Sequence, residues 1–285
     1  MSESSKTRVI CPICPHACKL DEGQLGTCGA RRAHGPRVLA DNYGRLTALA
    51  LDPIEKKPLA RFHPGATILS AGSYGCNLAC PFCQNSDISR MRGDRQPLRV
   101  EEYSPEELLE AALALRGRKN IGIAYTYNEP LVGYEFVLDT ARLAREAGLV
   151  NVIVSNGYIN EELFSELLCH LDAANIDLKA FRQSFYDRVG APEGLETVKH
   201  SIELACRSIH VEVTTLIIPG LNDDRDEIDD LAAWLAALDP EIPLHLTRFH
   251  PAYRMLDVSP TPRQTILDLV VIAKKHLHYV YAGNM

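Results

Sequence analysis

Three thiols in one short stretch, Cys76-x3-Cys80-x2-Cys83, are the residues whose types and spacing specify chemistry most directly. Thiolates so spaced can wrap three corners of a cubane [4Fe–4S] cluster. The fourth iron is then left without a protein ligand and open to a substrate, whereas electron-transfer clusters ordinarily take four Cys. Two alternatives stand beside this. Cys169 or Cys206 would close the cluster as a fourth ligand, or the triplet is a zinc knuckle, although zinc sites commonly use four ligands and no local fourth is present. A second set, Cys11-x2-Cys14-x3-Cys18-x9-Cys28, supplies four thiolates within eighteen residues. That set suits either tetrahedral zinc or a second, closed [4Fe–4S] cluster acting as an auxiliary centre. His16 lies among these ligands and ranks below them. Seven of the nine cysteines fall in the two clusters, and in a reducing cytosol clustered thiols bind metal more often than they form disulfides. Cys169 and Cys206, in helix-like stretches, read as small buried hydrophobes.

The elements that must position the thiols follow a regular alternation. Strand candidates begin with ATILSAG from Ala66 and continue at 120–126, 150–155, 173–179, 210–218 and 242–249. They are apolar and β-branched rather than alternating, as strands buried on both faces of a parallel sheet should be. Between them lie helical patterns. Ser104-Pro105-Glu106-Glu107 places an N-cap, a proline at the first helical position and a glutamate three residues on. Tyr134–Ala147 ends at Gly148, a C-cap glycine, and 161–171, 195–207, 226–238 and 261–276 follow. Strand and helix alternating six times predict an α/β fold, a partial (β/α)6 barrel. The Cys76 loop then follows the first strand, at the end of a barrel where chemistry is carried. Residues 1–66 are loop-rich, with short strands expected at Pro36–Leu39 and Leu46–Leu51. They read as a Cys-rich metal-held appendage, with the barrel over 67–285.

Composition narrows the class. The 285 residues carry 30 Lys+Arg against 37 Asp+Glu, a formal charge of −7, which offers no basic face for nucleic acid. No apolar run approaches the ~18 residues a membrane helix needs, and the first seven residues lack the apolar segment of a secretory leader. The expectation is a cytoplasmic protein. Arg31-Arg32 and Lys56-Lys57 are expected on a solvated face, or screening an anionic cluster. Glu55 either reaches the barrel mouth or pairs with Lys56 or Lys57.

CxxxCxxC with Phe82 before its last cysteine, after strand one of an α/β barrel, resembles the radical S-adenosylmethionine superfamily. The resemblance implies that the open iron chelates the methionine amino and carboxylate groups of S-adenosylmethionine, with Phe82 beside the adenine. It also implies reductive cleavage to a 5′-deoxyadenosyl radical that abstracts hydrogen. Thr126-Tyr-Asn-Glu-Pro130 stands where radical-activating enzymes carry Gly-Gly-Glu-Pro, so Asn128 and Glu129 are implied at the cofactor, Glu129 accepting from its ammonium. Ser155-Asn156-Gly157 matches Thr-Asn-Gly and implies ribose contacts. Asp177-Leu-Lys179 matches Asp-Leu-Lys; Lys179 balances the cofactor carboxylate or pairs with Asp177. Pro219–Asp223 and His250-Pro251 also resemble activating-enzyme segments, with Asn222 and His250 at the same barrel mouth.

A closer resemblance, through CPICPHACKLDEGQLGTCGARR, LDPIEKKPLARFHPG, GCNLACPFCQNSDIS, YTYNEP and YVYAGN, is to the radical enzyme of the AmmeMemoRadiSam system, a family named for two associated partner proteins. Longer relatives continue past the Gly-Asn with CPxCG-type knuckles, and nothing of that tail is carried to this chain. The resemblance implies a flavodoxin- or ferredoxin-type electron donor. It favours a protein residue as substrate, although Tyr-Asn-Glu in place of Gly-Gly-Glu argues against a plain glycyl-radical activator. A small molecule or nucleotide substrate, or a non-catalytic iron–sulfur scaffold, are the rivals.

Overall fold

Runs of β-branched residues and capped amphipathic segments set the framework seen in the computed structural model, which describes residues 8–94 and 99–285. The first seven residues, on which the expectation of no secretory leader rests, lie outside these. Among the described residues no helix is long and apolar enough to cross a membrane.

The central sheet has eight strands, numbered here along the chain: β1 Ala48–Pro53, β2 Thr67–Gly72, β3 Asn120–Tyr125, β4 Val150–Ser155, β5 Ala173–Asp177, β6 His210–Ile217, β7 Leu244–Arg248 and β8 Val280–Gly283. Their order in space is their order in sequence. Strands β2 to β8 are mutually parallel, as successive crossover units produce. β1 runs antiparallel along the free edge of β2, Ala48 opposite Gly72 and Pro53 opposite Thr67. The strand-like stretch at 278–282 and the short strand expected at Leu46–Leu51 both form, and they join the six barrel strands at either end as β8 and β1. Helices intervene at Pro105–Ala114, Tyr134–Glu146, Glu161–Leu168, Gly194–Cys206, Arg225–Leu238 and Arg263–Ala273. The first carries the expected capping box of Ser104 and Glu107. Gly148 takes φ +71° beyond the second.

Register divides the two faces. Ser70, Ala124 and Val152 lie side by side, as do Val154, Asn175 and Glu212, and then Thr214 and His245. Against the lower part of this inner face packs the turn-rich segment after β1. Ile54 and Leu59 are fully buried in one cluster with Ile68, Ala124, Val152 and Ala173. The backbone of this plug is also tied down. Pro58 O accepts from Asn175 Nδ2 at 2.8 Å, and the amides of Ala60 and Arg61 donate to Glu212 at 2.9 and 2.7 Å. Glu212 also pairs with His210 at 3.0 Å and His245 at 2.6 Å. Burial by itself would raise the Glu212 pKa, yet these four partners hold it down at about 2. The plug closes the inner face below and leaves it open at the carboxyl ends of the strands.

The rest of the Cys-rich segment forms two small antiparallel hairpins, Val9–Ile10 with Lys19–Leu20 and Arg31–His34 with Arg37–Ala40. Arg31 does not lie on a solvated face. It is 2% exposed, ion-paired with Glu135 and bonded to Val38 O at 2.8 Å.

Candidate active site

The loop after β2 is bent and pinned before it reaches its first thiol. Gly75 takes φ +87°, and a Cβ there would stand 2.7 Å from Ala30 Cβ and 2.8 Å from Cys28 O, so glycine is required on both counts. The Cys76 amide donates to Cys28 O at 3.2 Å, and the Ala79 amide to Val189 O at 2.8 Å. Asn128 clamps the same turn from β3, accepting from Ser73 N at 2.9 Å and donating to Gly75 O at 3.1 Å.

Cys76, Cys80 and Cys83 all line one cavity of about 530 Å³ at the carboxyl ends of the strands. Burial pushes the Cys76 thiol well above its usual pKa, with Glu129 adding to the effect. Burial likewise lifts Cys80 to about 11, against the pull of Lys179. Polar hydrogens already face the sulfurs: Leu78 N and Asn156 Nδ2 lie 3.4 and 3.7 Å from Cys76 Sγ, and Ser89 Oγ 3.2 Å from Cys83 Sγ. Three sulfurs from one loop, Cys80 buried and Cys76 and Cys83 partly so, with donors beside them and a lysine nearby, form a donor set that fits an anionic thiolate-held cluster, since metal displaces the thiol protons. Cys169 and Cys206 do not join them. They lie beside two other surface pockets, and Cys169 is exposed rather than the buried hydrophobe expected.

The other walls come from successive strand ends. Glu129 is buried, accepting from Leu131 N at 3.1 Å, Ser155 Oγ at 2.8 Å and Asn156 N at 2.8 Å. Burial pushes its pKa up to about 7 against those hydrogen bonds. Ser155 and Asn156 line the cavity, but their polar groups are engaged: Ser155 Oγ with Glu129, and Asn156 with Asn77 Oδ1 and Tyr158 N, each at 2.9 Å. Lys179 Nζ donates to Asp177 Oδ2 at 3.0 Å, and both line the cavity. Burial acts to lower the Lys179 pKa, but Asp177 and Cys80 hold it above the usual lysine value. Phe82 is buried, its ring 5.9 Å from that of Phe185.

His250 and Asn222 are not brought to these walls. The His250 ring lies 3.4 Å from Asn284 O, and it is Asn284 that lines the cavity. Asn222 is fully buried, tying Ile218 N to Lys179 O. Glu55 accepts from Gly65 N at 2.7 Å instead of reaching the mouth or pairing with a lysine.

The lower wall is made by residues that motif matching passed over. Lys57 is only 2% exposed and donates to Asp52 Oδ2 at 2.8 Å. Tyr127 donates to the same oxygen at 2.5 Å, and its ring lies 4.5 Å from Lys57 Nζ. Gly72 makes room for that ring; a Cβ there would stand 2.7 Å from Tyr127 Cδ2. The DPIEKKP stretch held the signal, through a charged run too close to buried Ile54 and Leu59 to lie wholly in solvent.

The four N-terminal cysteines gather directly behind the Cys76 loop. Cys11, Cys14 and Cys28 are buried and Cys18 partly so, and burial raises the Cys11, Cys14 and Cys28 thiols. Arg31 faces Cys11 and Cys28, with its Nε buried and unpartnered. His16 turns away to Asn77 O at 2.8 Å. Among the described residues no group of three or more Cys, His, Asp or Glu side chains is arranged as the ligand set of a single metal ion.

Comparison with known proteins agrees with this geometry. Residues 71–235 match the Radical SAM superfamily. An uncharacterized protein of Methanocaldococcus jannaschii is 42% identical over 98% of this chain and 82% of its own. The pyruvate formate-lyase 1-activating enzyme of Escherichia coli K12 is 22% identical over 72% of this chain and 88% of its own. Among solved structures, a radical SAM methyltransferase from Sphaerobacter thermophilus superposes with a TM-score of 0.56 at 18% identity, over 78% of this chain and 67% of that one. With its family match spanning more than half of the sequence, the chain belongs to the radical SAM superfamily, as an activating-enzyme-like enzyme whose shared equipment is a [4Fe–4S] cluster and S-adenosylmethionine.

Proposed function

We propose that Cys76, Cys80 and Cys83 hold the [4Fe–4S] cluster, with its fourth iron open to S-adenosylmethionine, and that the enzyme takes hydrogen from a residue of a protein substrate. The observation that carries this is the shared cavity: three thiols of one loop face the same space as Glu129, Asp177 and Lys179. Bound there, the cluster supplies the electron that cleaves S-adenosylmethionine to methionine and a 5′-deoxyadenosyl radical.

The chain's own residues do the rest. Glu129, kept in place by Ser155 and Asn156, accepts a hydrogen bond from the cofactor's amino group, a charge-assisted contact through the carboxylate. Asn128 serves by clamping the loop of Cys76. Lys179, shared with Asp177, faces the cofactor carboxylate, and Phe82 lies beside the adenine. His250 acts from the rim through Asn284. The Cys11–Cys28 set binds a second metal group, zinc or an auxiliary [4Fe–4S] cluster, with Arg31 screening its negative charge. A flavodoxin or ferredoxin supplies electrons in the cytoplasm. The resemblance to the AmmeMemoRadiSam radical enzyme supports docking of partner proteins, and the cavity mouth at the strand ends admits a polypeptide loop.

The test is anaerobic reconstitution with iron and sulfide. Wild type is expected to convert S-adenosylmethionine to 5′-deoxyadenosine with dithionite, and Cys80→Ala to make none. Iron loading without cleavage under any reductant would favour the scaffold. In a Cys76/Cys80/Cys83 triple Ala variant, four residual irons would identify an auxiliary cluster at the N-terminal set and one zinc a structural clip. Loss of all metal would refute that second site.

A further inference from the structure

The cavity has two polar ends, and the proposed function uses one of them. Glu129, Asp177 and Lys179 serve the end at the thiols. The floor, where the plug meets β1 and the loop after β3, holds Lys57, Asp52 and Tyr127, with the more exposed Lys56 also lining the cavity. Lys57 is a buried ammonium. Among the described residues Asp52 is the one acceptor within hydrogen-bond distance of its Nζ, so an ammonium with three N–H donors has donors to spare. Asp52 is also shared with Lys56 at 2.8 Å, so two ammonium groups and one carboxylate leave this floor with a net charge of +1. Among the described residues Thr214 Oγ1, on β6, is buried without a hydrogen-bond partner and lines the same cavity. A buried hydroxyl left unpaired is costly unless something arrives to use it.

We propose that this floor is the substrate-recognition subsite, and that Lys57 and Thr214 bind a carboxylate of the substrate while S-adenosylmethionine occupies the end at the thiols. This rests on the proposed function for its cofactor and names the chemistry of its substrate. A carboxylate is favoured over a phosphate on two grounds. One net positive charge balances one carboxylate but not the nearly two charges of a phosphate, and two donor groups match two oxygens rather than three. Burial lowers the Lys57 pKa, and Asp52 opposes that shift, while the Tyr127 ring 4.5 Å from Nζ also favours the charged form. The source is either an acidic side chain of a polypeptide or a free carboxylic acid.

The experiment measures binding to the reconstituted full chain, with and without S-adenosylmethionine, by titration calorimetry and saturation-transfer NMR. The probes are acetate, N-acetyl-aspartic acid amide and inorganic phosphate. The expected result is carboxylate binding in the cofactor-loaded protein, weakened about tenfold or more by Lys57→Met, about threefold by Thr214→Val, and largely retained by Lys57→Arg, which keeps the charge if the Met variant folds poorly. Phosphate is expected to bind at least about tenfold more weakly than acetate. Binding of the aspartate amide assigns an acidic residue of a polypeptide. Binding of acetate alone keeps the subsite but removes the protein-residue substrate. The subsite is overturned if neither acid binds at about 50 mM, if the Lys57 variants all bind as wild type does, or if phosphate binds more tightly. Failure of S-adenosylmethionine itself to bind counts against the cofactor assignment instead.

Discussion

Replacing Glu212 with Gln tests whether the plug is held by charge. Glu212 is fully buried and receives two backbone amides and two histidine rings, and its pKa falls from 4.5 to about 2. A depressed carboxylate contributes stability that is present above its unfolded pKa and lost as pH falls through its folded one. A fall of about 2.5 pKa units at about 1.36 kcal/mol each gives about 3 kcal/mol at pH 7. By pH 3 the same two values leave about 1 kcal/mol. Glutamine keeps the shape and one acceptor oxygen, so the loss is of charge rather than volume. For a chain of this size the expected drop in Tm is about 6–9 °C at neutral pH, shrinking steadily toward pH 3. Calorimetric melts of wild type and Glu212→Gln across that range, run anaerobically on reconstituted protein, give the comparison. A gap under about 1 kcal/mol at pH 7, or one that stays constant down to pH 3, refutes electrostatic anchoring of the plug.

Other consequences follow from single contacts. Glu129 sits near neutrality, at about 7, so S-adenosylmethionine is expected to bind more tightly as pH rises from 6 to 8 and the carboxylate ionises, a dependence that Glu129→Gln should abolish in equilibrium binding. Gly72→Val drives a side chain into Tyr127, 2.7 Å from the position of its Cβ; a loss of about 1–3 kcal/mol is expected from overpacking. Carboxylate binding at the floor should fall with it while cofactor binding holds. Arg31→Met removes the partner of Glu135, whose side chain is 39% exposed, so the stability cost is held to about 1–2 kcal/mol. Elemental analysis should show depleted metal at the N-terminal cysteines.

The sheet was legible because β-branched runs alternating with capped helices leave few topologies for a chain of this length. Ser104 and Gly148 marked helix ends by chemistry that acts within a few residues of sequence, which is why both were found. The thiols, Glu129, Asp177 and Lys179 were legible for a related reason: all lie at or just after strand ends, the last two at the same one, and parallel register brings strand ends together. Lys57, Asp52, Tyr127 and Thr214 were not. Their meeting depends on a turn-rich segment folding back against the inner face of the sheet, a contact no local periodicity encodes. The same contact explains why Lys56-Lys57 was misread as a solvated pair. The side chain of Lys56 is 62% exposed and that of Lys57 is 2%, and adjacent residues of an irregular segment share no common face. His250 and Asn222 depart in the opposite sense, since neither lines the cavity walls where the sequence placed them. Each lies after a strand end, but a loop permits a polar side chain to turn to backbone carbonyls, and both do.

The stretch before Ala66 meets the cavity from two directions, which would make a metal bound there more than a local clip. Behind the thiols, Cys28 O receives the Cys76 amide, and Ala30 packs where Gly75 has no side chain. Beneath them, the same stretch supplies β1, the plug and the floor lysine. A ligand of one proposed metal group therefore shares a hydrogen bond with a ligand of the other. Releasing metal from Cys11–Cys28 would free the backbone on which Cys76 rests, while the interior contacts of Ile54 and Leu59 would persist. Loosening at the thiols without loss of the sheet is the expected consequence, since apolar burial rather than thiolate ligation holds the plug. The proposed substrate floor and the proposed cluster loop thus depend on the same sixty residues through separable physical forces, burial and ion pairing below and, where metal binds, ligation above.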